Sequence, residues 1–252
     1  MRDQNILHEI QPEDGNEPLL SLRGISKYFG GLKAVDNVSL TIENGELRCL
    51  IGPNGAGKST IFRLITGYYR QDSGDVIYKA KEISRLQPFQ RARLGLSIKF
   101  QTPMVYQDLT VRHNMWIPMQ RIYKREVIAT EIDKYLKLLG LLEVGEQFVK
   151  NISHGQRQWL EIGMALSVKP DLLLLDEPTA GMSLEETQKT AQIVKDLNRD
   201  GMAIIVIDHD MEFVRTLNSK ITVLHLGKWF AEGNLAEIES NEEVRSIYLG
   251  KK

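Results

Sequence analysis

The 252-residue sequence predicts an α/β fold interrupted by a helical insertion. Three observations carry that reading. Leu172–Leu175 and Ala203–Ile207 are apolar runs without alternation, which suits strands covered on both faces. A glycine-rich stretch, 52–59, sits between a short apolar run and a helical segment. Between these regions the apolar spacing changes to steps of three and four, at Ile128, Ile132, Tyr135, Leu136 and Leu139.

In chain order, residues 1–17 read as a polar tail, with Arg2 alone against Asp3, Glu9, Glu13, Asp14 and Glu17. One domain is expected over 18–252, with no repeat and no low-complexity tract. Leu19–Leu22 and Val35–Ile42 read as strands separated by the Gly30-Gly31 break. Leu47 and Cys49–Ile51 form a mostly buried strand, and a helix runs from near Gly57 through Ile65. Asp75–Tyr78 is another strand candidate. The helical insertion spans roughly 101–166, and its last helix covers His154–Ser167. Leu184–Asn198 is helical, with Ser183 and Glu186 spaced as a capping box. Strands near Ile221–Leu224 and Trp229–Ala231 and a helix over Glu242–Tyr248 close the chain.

Composition narrows the function. Apolar residues make up 42% and the net charge is −1, so a sizeable core forms and no general attraction to nucleic acid is expected. The single cysteine, Cys49, excludes an internal disulfide and suits a reducing compartment. No run approaches the roughly 18 apolar residues of a spanning helix. The first 30 residues lack a basic start followed by an apolar block, so a position on the cytoplasmic side is expected.

Gly52-Pro53-Asn54-Gly55-Ala56-Gly57-Lys58-Ser59, followed by Thr60, fits G-x-x-x-x-G-K-[ST]. Glycines let successive amides face one point, and that point lies at a helix N-terminus that favours anions. Lys58 supplies charge for the β- and γ-phosphates, and Ser59 offers a hydroxyl to Mg²⁺. The strand before and the helix after weigh against a chance glycine turn. Asp176 and Glu177 end a buried strand at the sheet edge where ligands bind. Asp176 would hold Mg²⁺ through water, and Glu177 would orient and activate the attacking water. Taken alone, the pair could simply cap a turn before Pro178. Ser153, Gly155 and Gln156 open a helix, so they read as a capping box and as a second anion site together.

These motifs stand in the order and spacing of the ATP-binding subunits of ABC transporters, and the sequence resembles that family from Leu19 to Lys252. The resemblance implies a P-loop NTPase ABC ATPase core with a helical subdomain and an antiparallel β subdomain. Gln101 looks like the Q-loop glutamine near the metal, His209 like the switch histidine and Phe29 like the aromatic that stacks on adenine. In isolation Gln101 or His209 would be an ordinary polar group near a turn, His209 just ahead of a helix capped by Asp210. Phe29-Gly30-Gly31-Leu32-Lys33-Ala34-Val35 and Ala180-Gly181-Met182 resemble the branched-chain amino acid and urea uptake group. Residues 99–103, 153–164 and 223–225 look most like its urea-type subunits. Three positions depart from the common pattern: His154 for glycine, although the urea-type branch shares it, Ser183 for the D-loop aspartate, and Asp208 for glutamate.

The resemblance further implies ATP and Mg²⁺ as cofactors and a head-to-tail dimer with a second ATP-binding subunit. It also implies membrane permease subunits and, indirectly, an extracytoplasmic solute-binding protein. The place implied is the cytoplasmic face of the membrane, peripheral through the permease. Met104 and Tyr106, after Gln101, would form part of the docking cleft. Urea is the first expected solute and branched-chain amino acids the second. A soluble ABC ATPase driving another machine and a different phosphate-loop enzyme are the rival classes. The first lacks its long coiled-coil insertions here, and the second lacks the Asn-Lys-x-Asp guanine motif.

Overall fold

The computed structural model describes residues 17–249. The expected polar tail therefore lies, apart from Glu17, outside the described residues. Ten strands and nine α-helices are present among them.

The first layer is an antiparallel sheet of β1 (Leu20–Phe29), β2 (Leu32–Ile42), β4 (Ser73–Tyr78) and β5 (Lys81–Glu82), in the order β2-β1-β4-β5. β1 runs further than its apolar alternation indicates. Register shifts between Leu22 and Ile25 break the period while the pairing with β2 continues to Phe29. The second layer is a six-stranded sheet of β3 (Leu47–Ile51), β6 (Leu96–Lys99), β7 (Leu172–Asp176), β8 (Ala203–Ile207), β9 (Lys220–His225) and β10 (Lys228–Gly233). Its order is β10-β9-β3-β8-β7-β6, parallel except for β10.

Both faces of this sheet are covered, which explains the unbroken apolar runs. Leu173, Leu175, Ile204 and Val206 join one core, with the helices. Leu172, Leu174, Ile205 and Ile207 join the other, with the antiparallel sheet and Phe62 of α1 (Lys58–Ile65). Cys49, also on the helical side, is fully buried and accepts a hydrogen bond from Ser219 Oγ at 3.1 Å. Burial pushes its thiol up to about 12, against the lowering effect of that hydroxyl.

Between β6 and β7 the chain forms α3 (Val111–Met119), α4 (Arg125–Leu139) and α5 (His154–Leu166). Ile128, Ile132, Leu136 and Leu139 are the buried stripe of α4, as their spacing requires. The chain is completed by α2 (Pro88–Arg93), α6 (Leu184–Arg199), α7 (Met211–Leu217), α8 (Leu235–Ser240) and α9 (Glu242–Leu249). The sequence reading leaves β5, β6, α2 and α8 unassigned. No helix among the described residues is long and apolar enough to cross a membrane.

Candidate functional site

The loop between β3 and α1 is shaped by its neighbours as much as by its own glycines. Gly57 caps α1 with φ 100, a left-handed conformation, and a side chain there would overlap the Ala34 carbonyl. Gly227, in the β9–β10 turn, donates its amide to the Ala56 carbonyl at 3.1 Å. The end of one sheet and a hairpin of the other thus hold the loop. Helices α3, α5, α6, α7 and α8 each have a side chain capping their first amides, whereas α1, like α4, has none. A helix N-terminus left open behind a curled loop fits a phosphate group.

Lys58 folds back over this loop and donates to the carbonyls of Gly52 at 2.6 Å and Pro53 at 3.0 Å. Burial lowers its pKa, and Glu177 and Asp176 pull in the opposite direction. Ser59 Oγ lies 3.5 Å from Asp176 Oδ1. Burial raises the Asp176 carboxyl, with Ser59 lowering it and the Glu177 charge raising it further. A carboxylate made costly by burial and a neighbouring hydroxyl suit a divalent cation carrying phosphate and water.

Glu177 has φ 48, which is uncommon for a residue with a side chain. Its amide donates to the Ile207 carbonyl at 2.8 Å. Lys99, buried at the end of β6, holds the carbonyls of both Asp176 and Glu177 at 3.3 Å. The Glu177 carboxylate accepts from Gln101 Nε2 at 2.8 Å, and His209 Nδ1 lies 3.7 Å from its other oxygen. The strand ends therefore bring Lys58, Ser59, Gln101, Asp176, Glu177 and His209 to one point.

Three sets of candidates lie elsewhere. Phe29, at the end of β1, keeps a half-exposed ring, with Tyr69 edge-on at 5.2 Å. Ser153, Gly155 and Gln156 open α5. There Ser153 Oγ accepts from the Gln156 amide at 3.1 Å and Gln156 Oε1 accepts from the Ser153 amide at 2.9 Å, so the capping box forms as expected. No hydrogen bond among the described residues joins this segment to the phosphate loop. Met104 is exposed and lines a groove with Phe89, Phe100, Pro118, Ile122 and Met164. Tyr106, expected in the same cleft, is not among the lining residues, and its backbone is tied to the Asn114 amide side chain.

Sequence reasoning gives no site role to three residues that shape it: Lys99, Thr179 and Asp208, the last named only as a departure from the family's glutamate. Thr179 Oγ1 donates to Asp208 Oδ2 at 2.6 Å, and Asp208 Oδ1 accepts from the His209 and Asp210 amides at 2.8 and 3.0 Å. Asp208 is thus a fixed cap beneath His209. The signal available was a charged residue at the end of each of two apolar strands, Lys99 after Ile98 and Asp208 after Ile207.

Comparison with known proteins gives the family. The sequence model of the ABC transporter family matches residues 35–180. The high-affinity branched-chain amino acid transport ATP-binding protein LivG of Salmonella typhimurium is 33% identical, over 94% of this chain and 99% of its own. The ribose import ATP-binding protein RbsA of Halalkalibacterium halodurans is 33% identical over 91% of this chain but 47% of its own. Among solved structures, the ADP-bound form of an ABC transporter cassette superposes with a TM-score of 0.85 at 29% identity, covering 93% of this chain and all of that one. A dimeric cassette bound to ADP and phosphate gives 0.78 at 27% identity, covering 86% and 98%. ABC cassettes bind ATP with Mg²⁺, form dimers and work with membrane permeases. With the phosphate loop, the paired carboxylates and the full-length relatives in agreement, the chain belongs to the ABC transporter family and is one of its ATP-hydrolysing cassettes.

Proposed function

We propose that this cassette powers an importer for a small polar solute of the branched-chain amino acid class, through ATP-driven closure of a head-to-tail dimer. The observation that carries the mechanism is the convergence of Lys58, Ser59, Asp176, Glu177, Gln101 and His209, with a second anion-favouring helix end at Ser153–Gly155 outside that cluster. Loop residues 52–60 hold the phosphates through their amides, Lys58 and Thr60, and Phe29 stacks on the adenine. Ser59, Asp176 and Gln101 hold the cation. Mg²⁺, when bound, neutralises phosphate charge and fixes the γ-phosphate's orientation.

The partner's Ser153, Gly155 and Gln156 complete each site, so both surfaces are drawn to one anion only while the γ-phosphate is present. Glu177 accepts the proton of the attacking water, with Gln101 and His209 placed on its two oxygens. Catalysis is positional and electrostatic. The groove beside Met104 is where a permease loop would dock.

The names of the relatives support branched-chain amino acids over urea, the first expectation from sequence. Urea remains the second reading, favoured by residues 99–103, 153–164 and 223–225. One substitution tests the whole proposal. Glu177→Gln is expected to bind ATP, lose at least about 100-fold in turnover and accumulate closed dimers on size-exclusion chromatography. Cells carrying only that variant should lose uptake of labelled leucine and keep uptake of labelled urea. Normal turnover would overturn the catalytic assignment, and loss of urea uptake alone would transfer the solute to the second reading.

A further inference from the structure

His154 stands beside Ser153 as the first residue of α5, yet its ring takes no part in the site built above. Its Nε2 lies 2.8 Å from the Ala180 carbonyl, 26 residues away in sequence. A carbonyl only accepts, so Nε2 carries the proton and donates. The Gln158 amide lies 3.3 Å from the same nitrogen. Gln158 Oε1 is buried without a partner, and turning that amide over would offer the same N–H a second acceptor. Gly181 follows with φ 74, and a methyl there would come within 3.2 Å of His154 Nε2. Ring and turn are therefore fitted to each other.

What the ring holds is one tight turn. The Ala180 amide donates to the Glu177 carbonyl at 3.4 Å, and the Met182 amide to the Thr179 carbonyl at 3.0 Å. Thr179 is bonded to Asp208, which caps the His209 backbone. Glu186 supplies a second link on the far side. Its Oε2 accepts from the Ser183 amide at 2.9 Å, and its carboxylate fills the space left open beside Gly155.

We propose that His154 is a positioning residue that couples the two ATP sites of the dimer. This rests on the head-to-tail reading, in which Ser153–Gln156 serves the nucleotide held by the partner while Glu177 and His209 serve the chain's own. The imidazole joins those two halves within one subunit by a single hydrogen bond. Seating of a phosphate on the α5 end of one site then bears on the turn that carries the catalytic carboxylate of the other. A glycine at 154 could not make this link.

The test uses the complete transporter, with permease and sister ATPase, and reads ATPase rate against ATP concentration. His154→Ala is expected to lower kcat about threefold to tenfold, the scale of one lost hydrogen bond. Its Hill coefficient should fall toward one, with KM changed less than about twofold. His154→Gln places an amide N–H where Nε2 stood and is expected to restore both parameters. A merely structural histidine would lower Tm and leave the Hill coefficient alone. Unchanged kcat and cooperativity in His154→Ala, or no rescue by the glutamine variant, would overturn the proposal. Glu177→Gln is run beside them. If it stays monomeric with ATP, the dimer reading fails and takes this inference with it; if it dimerises while His154→Ala behaves as the parent, only this inference fails.

Discussion

Arg48 carries a full charge into the sheet with 1% of its surface exposed. It survives there because its guanidinium is answered on several sides: Nε donates to Glu46 at 2.6 Å, and Nη1 donates to Thr222 at 2.7 Å and to Glu232. Burial pulls the Glu232 carboxyl upward, but Lys220, Arg48 and Thr222 hold it below the ordinary carboxylate value. A depressed folded pKa contributes stability that is present above the unfolded value, about 4.3, and is lost as pH falls through the folded one. Glu232→Gln should therefore cost about 1–3 kcal/mol at pH 7, measured by guanidinium denaturation. The gap from the parent should close below about pH 4. A gap that stays constant down to pH 3 would count against this account. Single residues also show what sequence can and cannot reveal. Lys58, Ser59, Asp176 and Glu177 are legible because their chemistry is written in contiguous motifs. Lys99 and Thr179 take their roles from contacts across 78 and 29 residues of chain, and Asp208 adds the Thr179 contact to its local hold on the His209 and Asp210 amides, so the sequence shows at most a charge at a strand end.

At the scale of elements, burial on both faces decided what could be read. β7 and β8 stand out as unbroken apolar runs because each feeds two cores. β6 does not, since Ser97 and Lys99 interrupt its four residues and it lies at the sheet's end, paired only with β7. The helices between β6 and β7 were recognisable from periodicity, but how they pack was not. Met115 of α3 is fully buried, and a side-chain carbon added at Gly163 of α5 would come within 2.5 Å of Leu139 Cδ1 in α4 and within 3.1 Å of the Met115 sulfur. Close approach of α3 and α5 thus needs a small residue opposite a large, adaptable one. Met115→Ala should destabilise the protein by about 2–5 kcal/mol and leave the ATP dissociation constant within about twofold of the parent. A loss under about 1 kcal/mol would mean that these helices close over the gap.

In the proposed function the whole molecule presents two working surfaces. One holds the phosphate loop and the carboxylates gathered beside it, and the other is the groove of about 760 Å³ beside β6 and α3. Met104, 62% exposed at the groove's rim, is placed to report on whatever enters it. Met104→Cys is expected to crosslink to a cytoplasmic loop of the permease carrying a matching cysteine, in the assembled transporter. Tyr106→Cys should crosslink less, because Tyr106 lies off the lining. No crosslink from Met104 to any permease loop would remove the docking assignment.

The position of Cys49 makes such experiments simpler than usual. The chain's one native sulfhydryl is sealed inside β3 and held far from its reactive, ionised form at neutral pH. Maleimide dyes and spin labels should therefore pass over the unaltered protein, and an engineered thiol would report from a silent background without any prior cysteine removal.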